Sequence, residues 1–88
     1  MTVFRSGSVF VDKPTFSYLR GCALLSIDTK KRVIVCEPSD GGMHFNRNLL
    51  GGWLKFPPCL VNRLIPSGCE QADFIGYVSN GSIVFVAK

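Results

Sequence analysis

Short runs of apolar residues alternate with polar, turn-forming residues along the whole chain, and the clearest example covers residues 74–87. Two apolar runs there flank Asn80-Gly81, the pair that best fits a two-residue hairpin turn because both of its residues accept positive φ. Both faces of this hairpin are apolar, so we expect it in the interior of a sheet rather than at its edge. The predicted cross-strand pairs are Val78 with Ile83, Tyr77 with Val84 and Gly76 with Phe85.

Two more hairpins follow from the same pattern of apolar runs and turn residues. The first pairs 23–27 with 33–36 around the polar loop 28–32, and Pro38 then ends the ladder because proline has no N–H to donate. The second pairs 2–4 with 8–11 around Ser6-Gly7. Residues 15–20 are a candidate for a further strand, although their apolar positions do not alternate strictly.

The middle of the chain, residues 39–72, gives a weaker pattern. Residues 43–56 fit either a helix or a hairpin, and we favour a hairpin that turns at Gly51-Gly52 and pairs Leu50 with Trp53. Residues 59–65 fit either a short strand or one short helix, and Pro66 closes them.

These elements predict a mostly β protein of about six to eight short antiparallel strands, with the option of one short helix in the middle segment. Turns every 8–12 residues are typical of a barrel or a sandwich. A length of 88 residues allows one domain, residues 1–88, of SH3-like or OB-like size. Closure into a barrel is favoured because it removes the exposed edges of the sheet.

Composition adds an expectation about the surface. Hydrophobic residues make up 47% of the chain and charged residues only 18%, against about 25% in an average soluble domain. Some apolar area should therefore remain outside so small a core, and such patches usually contact another chain.

The lack of a membrane span and of a secretory signal predicts a reducing, cytoplasmic location. The chain has no apolar run as long as a membrane span, and its first residues lack the apolar stretch of a secretory signal. The four cysteines should therefore be free thiols.

The net charge is +4, but the basic residues are mostly single and only Lys30-Lys31-Arg32 forms a run. This charge is weaker than that of a dedicated nucleic-acid binder.

No catalytic, metal or cofactor motif has the required residue types and spacing. Successive cysteines are separated by 13, 22 and 9 residues, whereas structural zinc sites use close pairs. His44 is the only histidine and hence the only candidate base for a cysteine nucleophile. Neither G-x-G-x-x-G nor a P-loop is present. We therefore predict a protein that is not an enzyme and that has no cofactor.

The sequence favours binding to another protein or to a second copy of the chain. A small chain of this kind fits an inhibitor or an adaptor, including an accessory or anti-defence protein encoded by a phage or virus. Aromatic, aliphatic and basic residues held by two prolines match the composition of binding hot spots. The predicted contact residues are Trp53, Lys55, Phe56, Arg47 and Phe45.

The alternative function is a small nucleic-acid-binding barrel, in which basic side chains contact phosphates and aromatic side chains stack on bases. The residues predicted for that function are Lys30, Lys31, Arg32, Arg5, Arg47 and Lys55.

Overall fold

The computed structural model describes residues 1–88 and contains nine strands and two short helices. Strands make up 52% of the chain, which confirms the prediction of a mostly β protein. The elements in chain order are β1 (Thr2–Phe4), β2 (Ser8–Asp12), α1 (Lys13–Leu19), β3 (Cys22–Asp28), β4 (Val33–Pro38), β5 (Met43–His44), β6 (Asn46–Asn48), β7 (Gly51–Lys55), α2 (Pro58–Leu64), β8 (Gln71–Ser79) and β9 (Ser82–Ala87).

All nine strands join one antiparallel sheet in the order β5-β3-β4-β9-β8-β1-β2-β7-β6. The two outermost strands, β5 and β6, are consecutive in the chain and are separated only by Phe45. The Phe45 N–H donates to the Gly21 carbonyl at 2.8 Å, and its side chain is buried. Phe45 therefore brings the two ends of the sheet together, and the sheet forms a nearly closed barrel.

The hairpins that the sequence predicts most clearly are confirmed. The pairs Val78 with Ile83, Tyr77 with Val84 and Gly76 with Phe85 are all present, and Asn80 has the positive φ of 51° that its turn requires. The predicted hairpins β3–β4 and β1–β2 also form, with nearly the predicted bounds.

Two assignments differ from the sequence-based prediction. Residues 15–19 belong to a helix, α1, and Arg20 is its left-handed C-terminal cap. The helix forms because Asp12 caps it by accepting from the Thr15 N–H at 3.1 Å and Pro14 supplies a fixed helical φ in its first turn. The β6–β7 hairpin does form, but it turns at Leu49-Leu50 rather than at Gly51-Gly52. Trp53 consequently pairs with Asn46 and not with Leu50.

The middle segment contains one short helix, α2, as the sequence allowed. Its buried residues Val61 and Leu64 pack into the end of the barrel beside the β1–β2 turn, and Leu19 of α1 is buried at the opposite end. These helix residues belong to one core of 17 buried residues, most of which come from the strands. The two helices therefore lie at opposite ends of the barrel and contribute their buried residues to its core.

Candidate functional site

Strand β8 has an unpaired edge, because it changes neighbours along its length. Its first residues pair with β1, and the last pair on that side joins Asp73 to Thr2. The Met1 amine and carbonyl then bond reciprocally to Phe74, at 3.1 and 2.8 Å. No strand covers the same side of residues 75–79, which pair only with β9.

Two residues direct their backbone groups towards this open side. In an antiparallel ladder, alternate residues exchange hydrogen bonds with one neighbour, and the residues between them face the other neighbour. Ser79 flanks the two-residue turn, so Ser79, Tyr77 and Ile75 bond to β9. Gly76 and Val78 therefore turn their N–H and C=O groups away from β9, at an edge where no other strand pairs with them.

A groove of about 380 Å³, which we call the edge groove, runs between this edge and α1. The Tyr18 hydroxyl donates to the Gly81 carbonyl at 3.0 Å and so ties α1 to the β8–β9 turn. Tyr18 of α1 stays 42% exposed, and Tyr77 and Val78 at the edge of β8 stay 53% and 61% exposed. Proteins usually protect so apolar a sheet edge. The groove is lined by Met1, Asp12, Pro14, Thr15, Tyr18, Phe74, Gly76, Tyr77, Val78, Ile83 and Phe85.

A second depression, the cationic cleft, lies between α1 and the β6–β7 hairpin and has a volume of about 640 Å³. Helix α1 and its cap contribute Lys13, Ser17 and Arg20, which lie on one helix face because they are four and three residues apart. No Asp or Glu lines this cleft. Its lining is completed by Phe16, Arg47, Asn48, Leu49 and Gly51.

The floor of the cationic cleft is the Phe16 ring, held between a strand and a cation. A Cβ on Gly52 would lie 2.3 Å from Cδ2 of Phe16, so the ring rests directly on the β7 backbone. The Arg47 guanidinium carbon lies over the Phe16 ring, 5.6 Å from the ring centroid, in the range of a cation–π contact. The guanidinium is thus positioned by an aromatic surface and not by an acidic partner.

The hairpin beside the cleft ends in two exposed leucines. Asn48 Oδ1 accepts from the N–H groups of Leu50 and Gly51, both at 2.9 Å, and fixes the turn. Leu49 and Leu50 remain 96% and 73% exposed. The sequence-based prediction placed Leu50 in a strand opposite Trp53, and so it missed the exposure of this turn.

One of the four cysteines, Cys22, lies beside the single histidine. Cys22 and His44 face each other across β3 and β5, with Sγ 3.0 Å from Nδ1. No depression encloses this pair, and no group of three or more His, Cys, Asp or Glu side chains is placed to hold a metal ion. Burial raises the pKa of the Cys36 thiol to about 12, and all four cysteines are free.

The residues predicted to bind a protein partner do not share one surface. Phe45 and Phe56 are 6% and 5% exposed and belong to the core. Phe45 closes the barrel, and Phe56 follows β7 and donates its N–H to the Gly7 carbonyl at 2.8 Å. Trp53 is 37% exposed on the outer face of β7. Lys55 Nζ donates to the Ser6 carbonyl at 3.1 Å, and Arg47 lies in the cationic cleft.

Of the residues predicted to bind nucleic acid, Arg5, Arg32 and Lys55 have side chains bonded to backbone carbonyls of the protein itself. The Arg5 guanidinium donates to the Cys69 and Pro66 carbonyls, with a shortest distance of 2.6 Å, and Arg32 Nε donates to the Leu64 carbonyl at 3.1 Å. Lys30 and Lys31 lie in the β3–β4 loop, where their backbone N–H groups bond to the Asp28 carboxylate. Of the predicted set, only Arg47 lies in a depression, at the α1 end of the barrel.

Comparisons with protein-family models, with curated proteins and with solved structures find no match to this chain. Neither helix is long and apolar enough to cross a membrane.

Proposed function

We propose that this chain is a small protein-binding module that takes up an extended segment of its partner as an additional strand on β8. The observation that carries the proposal is the unpaired edge at Gly76 and Val78, open beside an apolar groove. An unpaired ladder binds a strand through main-chain hydrogen bonds, and pockets for alternate side chains give specificity.

The chemistry of the edge defines the ligand. Two residues offer one N–H and one C=O each, and a peptide backbone is the ligand that supplies both complements at strand spacing. Each such bond contributes about 0.5–1.5 kcal/mol net, so the backbone alone gives weak binding. Burial of an apolar side chain against Tyr18, Tyr77 and Val78 supplies the remainder, at about 25 cal/mol per Å².

The position of α1 favours a single extended segment over a folded sheet. Pro14, Thr15 and Tyr18 of α1 form the wall opposite β8, and the space between them is about 380 Å³. A second copy that paired its own β8 here would bring its own α1 into the same space. An extended segment of another protein, such as the target of an inhibitor or an adaptor, fits without that conflict.

The experiment begins with selection of peptides from a displayed random library on the immobilised chain, followed by NMR titration of the labelled protein. The expected ligands carry apolar side chains at alternate positions. Their binding should shift the amide signals of Gly76 and Val78 and slow the hydrogen exchange of both amides.

A blocking variant tests the location of the site. Since Met1 pairs with Phe74, residues added before Met1 run along positions 75–79 in the antiparallel direction. An added Thr-Val-Thr-Val-Thr should occupy the edge and abolish peptide binding, whereas an added Gly-Ser-Gly-Ser-Gly should leave it nearly unchanged. Equal binding by the two variants would overturn the proposal. So would a wild-type dimer that only the Thr-Val extension dissociates, because the edge would then serve self-assembly.

A further inference from the structure

We propose that the cationic cleft is a binding site for a compact oligophosphate, either inorganic pyrophosphate or the phosphate chain of a nucleoside di- or triphosphate. The site differs from the edge groove in its position on α1. Lys13, Ser17 and Arg20 face the cleft, whereas Pro14, Thr15 and Tyr18 face the groove. The helix thus separates the two sites, and either one can be tested without the other.

The lining of the cleft carries three positive charges and no negative one, and the nearest acid in a shared depression is Asp40, which lies beside Arg20 outside the cleft. Lys13, Arg20 and Arg47 come from two different elements and converge on one depression. None of the three side chains forms a hydrogen bond with the protein, whereas Arg5, Arg32 and Lys55 elsewhere all do. Three cations without an acidic partner raise the local concentration of anions and favour a ligand that carries several negative charges.

The types of donor in the cleft fit phosphate. Two guanidinium groups each present planar, paired N–H donors, which match phosphate oxygens in bidentate geometry, and Lys13 adds a third charge. Contact with the Phe16 ring restricts the Arg47 guanidinium before any ligand arrives. The Ser17 hydroxyl and the Asn48 amide supply uncharged donors at the same surface.

The surroundings favour a compact anion over a nucleic-acid strand. A polymer needs a basic track that continues beyond one site, and contacts several phosphates in succession. Here Arg5, Arg32 and Lys55 are bonded to backbone carbonyls and lie at the α2 end of the barrel, away from the cleft. A volume of about 640 Å³ lies within the range of small-ligand pockets, so the cleft can also hold an organic group attached to the phosphates.

Isothermal titration calorimetry of the full chain at low ionic strength tests the site, with sodium pyrophosphate as the probe. We expect one-to-one binding that weakens as salt is added, because salt screens exposed charges. Arg20→Ala and Arg47→Ala should each weaken binding about tenfold or more, since each removes charged hydrogen bonds to the ligand.

Arg63→Ala is the matched control, because it removes the same charge from an exposed position on α2. It should change the affinity less than about twofold, as expected for screening by a distant charge. Circular dichroism of every variant confirms the fold. Equal weakening by Arg63→Ala would overturn the site, as would the absence of pyrophosphate binding at millimolar concentration.

Further ligands distinguish the sources of the phosphate. ATP that binds more tightly than pyrophosphate, while adenosine alone does not bind, would identify a nucleotide site with the same three cations. Pyrophosphate that binds as tightly as ATP would identify an inorganic oligophosphate site. An oligonucleotide that binds far more tightly than either, and that loses affinity equally on substitution of Lys30 and Lys31, would overturn the proposal in favour of a nucleic-acid surface.

Discussion

Replacement of Gly52 by alanine tests whether the floor of the cationic cleft is built as described. The added Cβ would lie 2.3 and 2.8 Å from two atoms of the Phe16 ring and 3.2 Å from Cβ of Phe45. The φ of Gly52 is not positive, so alanine fits its backbone, and in an extended strand that exchange alone favours folding by about 0.5–1 kcal/mol. The contact with the ring opposes this gain, because overpacking typically costs about 1–3 kcal/mol.

We therefore expect Gly52→Ala to lower the free energy of unfolding, and the melting temperature to fall by about 4–8 °C for each kcal/mol. The same substitution in a Phe16→Ala background should be neutral or stabilising, because the obstructing ring is gone. Thermal and urea unfolding of the four proteins form a double-mutant cycle that isolates this coupling. Gly41→Ala is the control, since its Cβ would approach only Ser39 Oγ, at 3.9 Å.

One result would refute the reasoning. If Gly52→Ala destabilises the protein equally in both backgrounds, the Phe16 ring is not what excludes a side chain at position 52. Arg47 would then lack the aromatic support that we infer for it. A loss confined to the background that retains Phe16 would establish the stack of Gly52, Phe16 and Arg47.

Two further predictions concern ionisable groups. Asp12→Ala should cost about 1 kcal/mol through loss of the helix cap, as measured by urea unfolding. The hydrogen bonds from Thr15 lower the pKa of the Asp12 carboxyl below its usual 3.8, so the stabilisation is complete at neutral pH and is lost as the pH falls below 3.8. A difference from wild type that persists unchanged at pH 2 would contradict this role. Burial raises the pKa of Cys36 from 9.0 to about 12, so the free energy of unfolding should decrease as the pH rises above 9.0. In the native protein at pH 8 a thiol reagent should modify Cys59 and Cys69, which are exposed, and equal labelling of Cys36 would disprove its burial.

The sequence predicts an element well where local chemistry alone determines it. Asn80-Gly81 sets the turn and hence every pair of the β8–β9 hairpin, and no tertiary contact overrides it. At the β6–β7 hairpin, by contrast, Gly51 and Gly52 do not form the turn but lie within β7. A Cβ on Gly51 would lie 2.1 Å from the Val11 carbonyl oxygen, so these glycines admit close neighbours while Asn48 makes the turn.

The candidate sites depend on features that the sequence shows only indirectly. Lys13 and Arg20 look scattered until residues 13–19 are assigned to a helix, which brings both to one face. Asp12 followed by Pro14 is a start signal for such a helix, whereas the apolar residues that follow are also compatible with a strand. The edge of β8 has no local signal, because the neighbours of β8 on that side are residues about 70 positions away in the chain.

The pairing of β1 with β8, some 70 residues later in the chain, affects how the protein can fold during its synthesis. Strand β8 is the only strand that joins the half-sheet β1-β2-β7-β6 to the half-sheet β9-β4-β3-β5. Until residues 71–87 leave the ribosome, both β8 and β9 are missing, and β1 and β4 each retain a bare edge. Such unpaired apolar strands aggregate or recruit chaperones. A chain truncated before Gln71 should therefore accumulate as insoluble material rather than as a smaller folded protein.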